Sequence, residues 1–285
     1  RTSNPKNNMP AFVSVKDPKS GKTILGAEDG VNQSYCDLLF YVDATPGSSI
    51  DDPERPSIPD EGDKEEPKPD EDENVTGTLA FEDIWPSGGD YDMNDVIVEY
   101  ERKVYFDKKN IVTKIVDEFT PVHDGATYVN AFAYQIDAAQ IGDKITLPEG
   151  AILEKETSSI IVMSNAKQNI GNKYVVTREF NGSFLKNQLL SYNPYIIVKY
   201  SQGEQNRTEV HLPKHKATAY ANQSLIGSND DAYYIDRKGA YPFAIDIPML
   251  GFTPVTERNR IDSQYPGFTT WAKSMGNDCK DWYKK

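Results

Sequence analysis

Residues 89–96 form the stretch of the sequence with the clearest chemical potential. Asp90, Asp92 and Asn94 repeat at every second position, and Asp95 adds a third carboxylate. In a curled loop these oxygens can converge on one hard cation. Ca²⁺ takes about six to eight oxygen ligands at about 2.3–2.6 Å and tolerates irregular geometry. The spacing therefore predicts a calcium-binding loop.

Two further acids precede this loop. Glu82 and Asp83 are separated from it by a turn that contains a proline and two glycines, so they are expected as additional Ca²⁺ ligands. The alternative is that these side chains only cap turns, since Asp and Asn accept hydrogen bonds from nearby backbone groups. Of these six residues, the five carboxylates would repel one another without a cation, which favours the metal.

The loop is not expected to be an EF-hand. Its spacing matches the first three ligand positions of that motif, and Glu101 falls at the twelfth. An EF-hand needs glycine at the sixth position for its sharp turn, where this chain has Asp95. In addition, residues 96–100 alternate between apolar and polar types, as a strand does.

A weakened copy of the same pattern lies near the start of the chain. Residues 37–42 align with residues 95–100, and an acid pair at 28–29 corresponds to Glu82 and Asp83. Asn32, Ser34 and Cys36 stand where the intact loop has Asp90, Asp92 and Asn94. The copy keeps the strand and loses two carboxylates, so it should bind a cation weakly or not at all.

Other candidate sites give weaker signals. Asn229, Asp230 and Asp231 are either cation ligands or a polar turn. His211 and His215 have the spacing of metal ligands on a helix, but the proline between them argues against a helix and against zinc.

Apart from a carboxylate pair for glycoside hydrolysis, which only its separation in space would identify, nothing in the sequence predicts catalysis. It contains no nucleophile elbow, phosphate-binding glycine loop or catalytic Cys/His motif. For an alternative function in carbohydrate binding, Trp282 and Tyr283 are the candidates for exposed sugar contacts, while Trp271 shares an apolar stripe with Phe268 and Met275.

The elements that must position these residues are strands. Alternating or β-rich runs predict strands over residues 96–106, 111–119, 128–136, 160–163, 174–180 and 194–200. A helical apolar spacing appears at residues 268–275, where Gly276 is a suitable stop. We therefore expect an all-β fold, an antiparallel β-sandwich or jelly-roll-like domain with one short C-terminal helix that packs Phe268, Trp271 and Met275 inward.

Composition divides the chain into three parts. Residues 46–75 hold twelve acidic and three basic residues, which accounts for −9 of the net charge of −13, together with six prolines. Such a segment stays extended and has little to bury, so it is interpreted as a linker or exposed loop. Residues 1–45 form a short β-rich segment, and residues 76–285 form the main domain.

Charge and hydropathy exclude several partners. The sequence has no apolar run of about 18 residues that would cross a membrane. It also has no basic stripe that would neutralise phosphates, so a nucleic-acid partner is not expected. Because the chain starts at Arg1, a signal peptide or a lipid anchor on a missing N-terminal segment is compatible with it.

Several motifs in order resemble the LruC-type domain of bacterial surface lipoproteins. They cover residues 76–285 and comprise Phe81-Glu82-Asp83, Trp85-Pro86, the loop at 89–95, Glu209-Val210-His211-Leu212-Pro213, the acidic loop at 227–231 and Tyr241-Pro242-Phe243-Ala244-Ile245. The resemblance implies a β fold and a location outside a bacterial cell or on its outer membrane, with no defined activity. Residues 1–45 then look like the end of a related, degenerate domain.

Together these observations predict a non-catalytic surface module with a structural Ca²⁺ loop, active in adhesion or surface assembly. Its partner would be an unknown surface protein or glycan. The alternative is a carbohydrate-binding module of a surface glycan-uptake system.

Overall fold

The structure is a computed structural model that describes residues 12–16, 22–27, 38–42, 70–182 and 184–284. The chain divides into two compact units, Arg1–Lys68 and Pro69–Lys285. In the first unit, β1 (Phe12–Lys16), β2 (Thr23–Ala27) and β3 (Leu38–Val42) form an antiparallel sheet in the order β1-β2-β3. The weakened loop at residues 28–37 lies outside the described residues.

The second unit contains two antiparallel sheets. The six-stranded sheet has the order β14-β4-β5-β6-β11-β8, and the five-stranded sheet has the order β13-β12-β7-β10-β9. Their strands are β4 (Asp70–Phe81), β5 (Val96–Phe106), β6 (Val112–His123), β7 (Ala131–Gln135), β8 (Lys144–Thr146), β9 (Ile152–Glu154), β10 (Ser159–Met163), β11 (Tyr174–Glu179), β12 (Asn193–Val198), β13 (Thr208–His211) and β14 (Ala244–Ile247).

The two sheets pack face to face as a β-sandwich, which confirms the expected fold class. Phe119 of β6 packs against two rings of β7. Its ring centroid lies 5.1 Å from that of Phe132 and 5.0 Å from that of Tyr134. Phe81 at the end of β4 also contacts Phe132. The main core therefore lies between the apolar faces that period-two alternation places on each sheet.

The long strands β4 and β5 form one antiparallel hairpin around the acidic loop. Their register runs from Asp70 opposite Phe106 to Phe81 opposite Val96. β4 thus begins six residues before residue 76, inside the segment interpreted as a linker. Because antiparallel pairing brings Phe81 and Val96 together, the loop between them closes at one end of the sandwich.

The C-terminal region has two short helices where one was expected. They are α1 (Ile261–Gln264) and α2 (Phe268–Lys273). Phe268 is buried as expected and Trp271 is half-buried, but Met275 is 57% exposed. α2 ends at Lys273, and Met275 adopts a positive φ of 54°, so its side chain leaves the apolar stripe.

No helix in the described part of the chain has the length and apolar character needed to cross a membrane.

Candidate metal site

The acidic loop is anchored at both ends by strands and by its own side chains. Glu82 and Asp83 follow β4 directly, and Asp95 precedes β5. The backbone N–H of Asp83 donates to Asp95 Oδ2 at 2.8 Å, and the N–H of Met93 donates to Glu82 Oε1 at 2.6 Å. These two bonds fasten the start of the loop to its end.

The apolar residues of the loop turn into the core. Tyr91 and Met93 are buried, and both have positive φ, at 54° and 55°. Such left-handed conformations are uncommon for residues other than glycine. They reverse the chain locally, so that Asp90 and Asp92 on either side of Tyr91 reach the same place.

Three of the six predicted ligands converge. Glu82, Asp90 and Asp92 each offer one carboxylate oxygen, and these three oxygens lie within 4.8 Å of one another. Asp90 is exposed, whereas Glu82 and Asp92 are buried. Three hard oxygens at this spacing match the preference of Ca²⁺, which would complete its shell with further oxygens from the chain or from solvent.

Glu82 has a carboxylate oxygen that no donor in the described part of the chain reaches. Its Oε2 is buried and lacks a hydrogen-bond partner among the described residues. A Cβ atom at Gly89 would approach this oxygen to 2.5 Å, so only glycine lets the loop pass here. A buried carboxylate oxygen without a partner is unfavourable unless a cation or water satisfies it.

The other three predicted residues are held by the protein. Asp83 Oδ2 accepts from Asn130 Nδ2 at 2.7 Å, and Asp95 Oδ2 accepts the backbone bond from Asp83. Asn94 donates through Nδ2 to the carbonyl of Val255 at 3.0 Å, while its Oδ1 is buried and has no hydrogen-bond partner in the described part of the chain. Each of these residues thus has a structural bond in addition to any role at a cation.

Burial and mutual repulsion make this cluster electrostatically unfavourable. Desolvation, followed by the charge of Asp95, raises the pKa of Glu82 well above its usual range. Burial also raises the pKa of Asp92 to about 6 and, with the charge of Asp83 as the next cause, the pKa of Asp95 to about 7. A bound divalent cation would reverse this effect by stabilising the ionised forms.

Asp124 belongs to the same end of the sandwich, and sequence reasoning missed it. Its side chain is buried, both oxygens lack hydrogen-bond donors within the described part of the chain, and the Lys167 ammonium lies 3.8 Å from Oδ1. Burial raises its pKa to about 6. The signal was available, since pairing β5 with β6 as a hairpin places the residues after β6 next to Asp95.

The cluster at residues 229–231 is a polar turn in this structure. Asp231 Oδ1 accepts from Trp85 Nε1 at 2.8 Å, and its Oδ2 accepts from the N–H of Gly227 at 2.7 Å. Asp230 accepts from the N–H of Gly88 and pairs with Lys238. This turn holds the Trp85–Gly88 segment in place and leaves its own carboxylates satisfied.

Trp282 is not an exposed sugar contact. It is only 6% exposed and packs against Phe268 at 4.8 Å between ring centroids and against Tyr265 at 5.6 Å. The expectation of an exposed side chain here is therefore wrong, because the segment after α2 folds back over the aromatic core.

The fold and this loop define an all-β sandwich domain with an acidic cluster at one end. The chain belongs to the family described as Domain of unknown function (DUF4842), whose model matches residues 110–283. The acidic loop lies before the matched region. No curated protein matches the chain in sequence.

A solved structure shares the fold. The crystal structure of a "Putative lipoprotein" from Bacteroides ovatus superimposes with a TM-score of 0.56 at 18% identity, over 91% of this chain and 77% of that chain.

Proposed function

We propose that this chain is a non-catalytic module of a bacterial cell surface whose loop at residues 82–95 binds Ca²⁺ as a structural ion. The ligands that carry the proposal are Glu82, Asp90 and Asp92. Asp83, Asn94 and Asp95 hold the loop in place through hydrogen bonds to other groups and are available as further ligands. The biological role proposed is adhesion or surface assembly, with a surface protein or glycan as partner.

The carrying observation is the convergence of three carboxylate oxygens within 4.8 Å, one of them from a fully buried glutamate that has an oxygen without a hydrogen-bond partner among the described residues. Turn capping does not account for Glu82 Oε2, because no backbone donor in the described residues reaches it. A divalent cation supplies the missing partner and offsets the repulsion between the acids.

The proposed surface location rests on the similarity of this chain to known bacterial proteins. The fold is shared with a protein described as a lipoprotein of Bacteroides ovatus, and the motif order resembles the LruC-type domain. The absence of catalytic motifs from the sequence supports a binding or structural role over an enzymatic one.

The test of the metal site is a melting curve of the full chain in chelator and in millimolar Ca²⁺. A ligand that binds only the folded state at 100 times its dissociation constant stabilises it by about 2.7 kcal/mol. For a domain of this size the expected rise in Tm is about 5–10 °C, since about 1 kcal/mol corresponds to about 2–4 °C.

Mg²⁺ serves as the matched control ion. It requires a tight octahedron and gives up water reluctantly, so it should raise Tm much less than Ca²⁺ does. A curve that does not move between chelator and millimolar Ca²⁺ would show that the loop is a polar turn and not a metal site.

A further inference from the structure

A cleft opens between the two sheets of the sandwich, away from the acidic loop. Its volume is about 320 Å³, which lies at the small end of the range for small-molecule sites. The inward faces of β4, β5 and β6 form one wall. The segment leading into β12 and the residues after β13 form the other.

The floor of the cleft is a charged network that the protein satisfies by itself. Asp117 is buried and accepts from the Tyr192 hydroxyl at 2.7 Å, with Arg178 Nη2 and Arg102 Nε each at 3.3 Å. Because the Tyr134 hydroxyl also donates to it at 3.4 Å, Asp117 is held by four partners, has a fixed position and has little capacity left for a ligand. It positions Arg102 and Tyr192 at the bottom of the cleft.

Two charged groups of opposite sign remain available to a ligand. Within the described residues, the guanidinium of Arg102 stacks on the Tyr192 ring and bonds Asp117 through Nε alone, which leaves its terminal nitrogens as free donors. Asp246 is exposed at the mouth, where the Tyr100 hydroxyl, at 3.1 and 3.3 Å, is the one donor to its carboxylate among the described residues. A carboxylate can accept about four hydrogen bonds, so Asp246 keeps free acceptor sites.

Aromatic and apolar side chains line the rest. Tyr100 stands opposite Gly77 in the β4–β5 register, and a Cβ atom at Gly77 would lie 2.6 Å from the Tyr100 hydroxyl oxygen. The absence of a side chain on Gly77 lets the tyrosine ring lie flat against β4. Phe119, Pro194 and Leu212 add apolar surface around it.

The cleft continues into a second groove. Leu212, His215 and Asp246 line both, and the second groove has a volume of about 430 Å³. Its surface is mostly apolar and includes the half-buried Trp271 beside Pro242. A ligand longer than one ring could therefore extend from Arg102 toward Trp271.

We propose that this cleft binds a neutral saccharide. Sugar hydroxyls both donate and accept, so they match a free guanidinium and a free carboxylate in the same site. An anionic ligand would be repelled by Asp246, and a cationic one by Arg102. The apolar face of a pyranose ring fits the aromatic and aliphatic walls. The proposal does not depend on the metal site, which uses other residues at a separate place.

The test begins with a glycan array of neutral and acidic oligosaccharides, probed with the full chain in buffer containing Ca²⁺. The soluble form of the best-bound glycan is then titrated by calorimetry. Arg102→Met and Asp246→Asn should each raise its Kd by about tenfold or more, because each removes a charge-assisted hydrogen bond. Asp117 keeps Arg178 and Tyr192 in the first variant, and the side-chain amide introduced by the second keeps an acceptor for Tyr100.

Lys155→Met and Asp278→Asn are the matched controls, since both side chains are exposed outside the cleft. They should leave Kd unchanged, and all four variants should melt within a few degrees of the parent. Binding confined to acidic glycans would overturn the proposal. So would the absence of binding to any neutral glycan, or binding that both cleft variants retain.

Discussion

Glu82 is the most constrained residue of the acidic loop. One oxygen accepts from the Met93 backbone at 2.6 Å, and the other faces Gly89 without a donor among the described residues. Its pKa is raised by burial and by the nearby charges of Asp95, Asp92 and Asp90. In the absence of a cation, its ionised form therefore destabilises the fold.

A charge-removing substitution at this residue separates metal binding from folding. Glu82→Gln keeps the acceptor for Met93 and removes the charge. The variant should melt at or above the Tm of the parent in chelator, because repulsion with the three aspartates is gone. It should lose most of the response of about 2.7 kcal/mol expected at Ca²⁺ concentrations 100-fold above Kd.

Glu149→Gln is the control for this prediction, since Glu149 is exposed and far along the chain. It should keep the full Ca²⁺ response. If Glu82→Gln also keeps that response, Glu82 is not a ligand, and the proposed coordination is wrong at its central residue.

Residue types and spacing identified the place of the candidate site but not the division of roles within it. Asp90 and Asp92 were predicted together, and the structure brings them to Glu82. The sequence could not distinguish Asp83 and Asp95 from these ligands. In the structure, Asn130 donates to one oxygen of Asp83, and the backbone N–H of Asp83 donates to one oxygen of Asp95. Asn130 and Asp124 come from the connection between β6 and β7, and spacing within the loop carries no information about them.

At the scale of elements, the ion pairs Arg207–Glu154 and Lys144–Glu179 have the same N–O distance of 2.7 Å but differ in burial. Arg207 bonds Glu154 through both terminal nitrogens, at 2.7 and 2.8 Å, and Glu209 through Nε at 2.7 Å, all largely buried. This network ties β13 to the end of β9. Lys144 and Glu179 join β8 to β11, also at 2.7 Å, but their side chains are 68% and 44% exposed.

Burial should decide what each pair contributes to stability. Arg207→Met leaves Glu154 and the fully buried Glu209 without their cation, and breaking such a pair costs about 3–5 kcal/mol. Lys144→Met removes an exposed pair, which is worth less than about 1 kcal/mol. Urea unfolding of both variants in saturating Ca²⁺ measures the difference. Equal losses for the two would contradict the assignment of Arg207 as a buried support of β13.

The strands were predictable where alternation was long. β5 was predicted at its observed bounds, and β6, β7, β10, β11 and β12 lie within a few residues of the predicted runs. The start of β4 was not predictable, because Asp70 and its neighbours are acidic and show no strand pattern. These residues form a strand because they pair with the end of β5. The two-helix C-terminus was also missed, since Met275 continues the helical spacing after the backbone has left the helix.

At the scale of the whole second unit, the acidic loop is connected to the C-terminal region. Asp92 Oδ2 accepts from the N–H of Arg258 at 3.0 Å, and Asn94 Nδ2 donates to the carbonyl of Val255 at 3.0 Å. The carbonyl of Tyr91 accepts from the N–H of Ile261, the first residue of α1, at 2.8 Å. The loop thus holds the segment that leads into the helices and the buried Trp282.

Calcium should therefore protect residues 255–261 from hydrogen exchange, although only Asp92 and Asn94 link them to the loop through side chains. Local opening of this segment requires breaking its bonds to the loop, and a bound cation makes the loop costlier to open. Exchange measured by mass spectrometry in chelator and in Ca²⁺ should slow in peptides covering residues 255–261. Peptides covering residues 107–110, the exposed turn at the opposite end of β5, should change little because that turn opens locally in both conditions. Unchanged exchange at residues 255–261 in protein whose Tm does respond to Ca²⁺ would show that the ion stabilises the loop alone and that the C-terminal helices are held independently by their aromatic core.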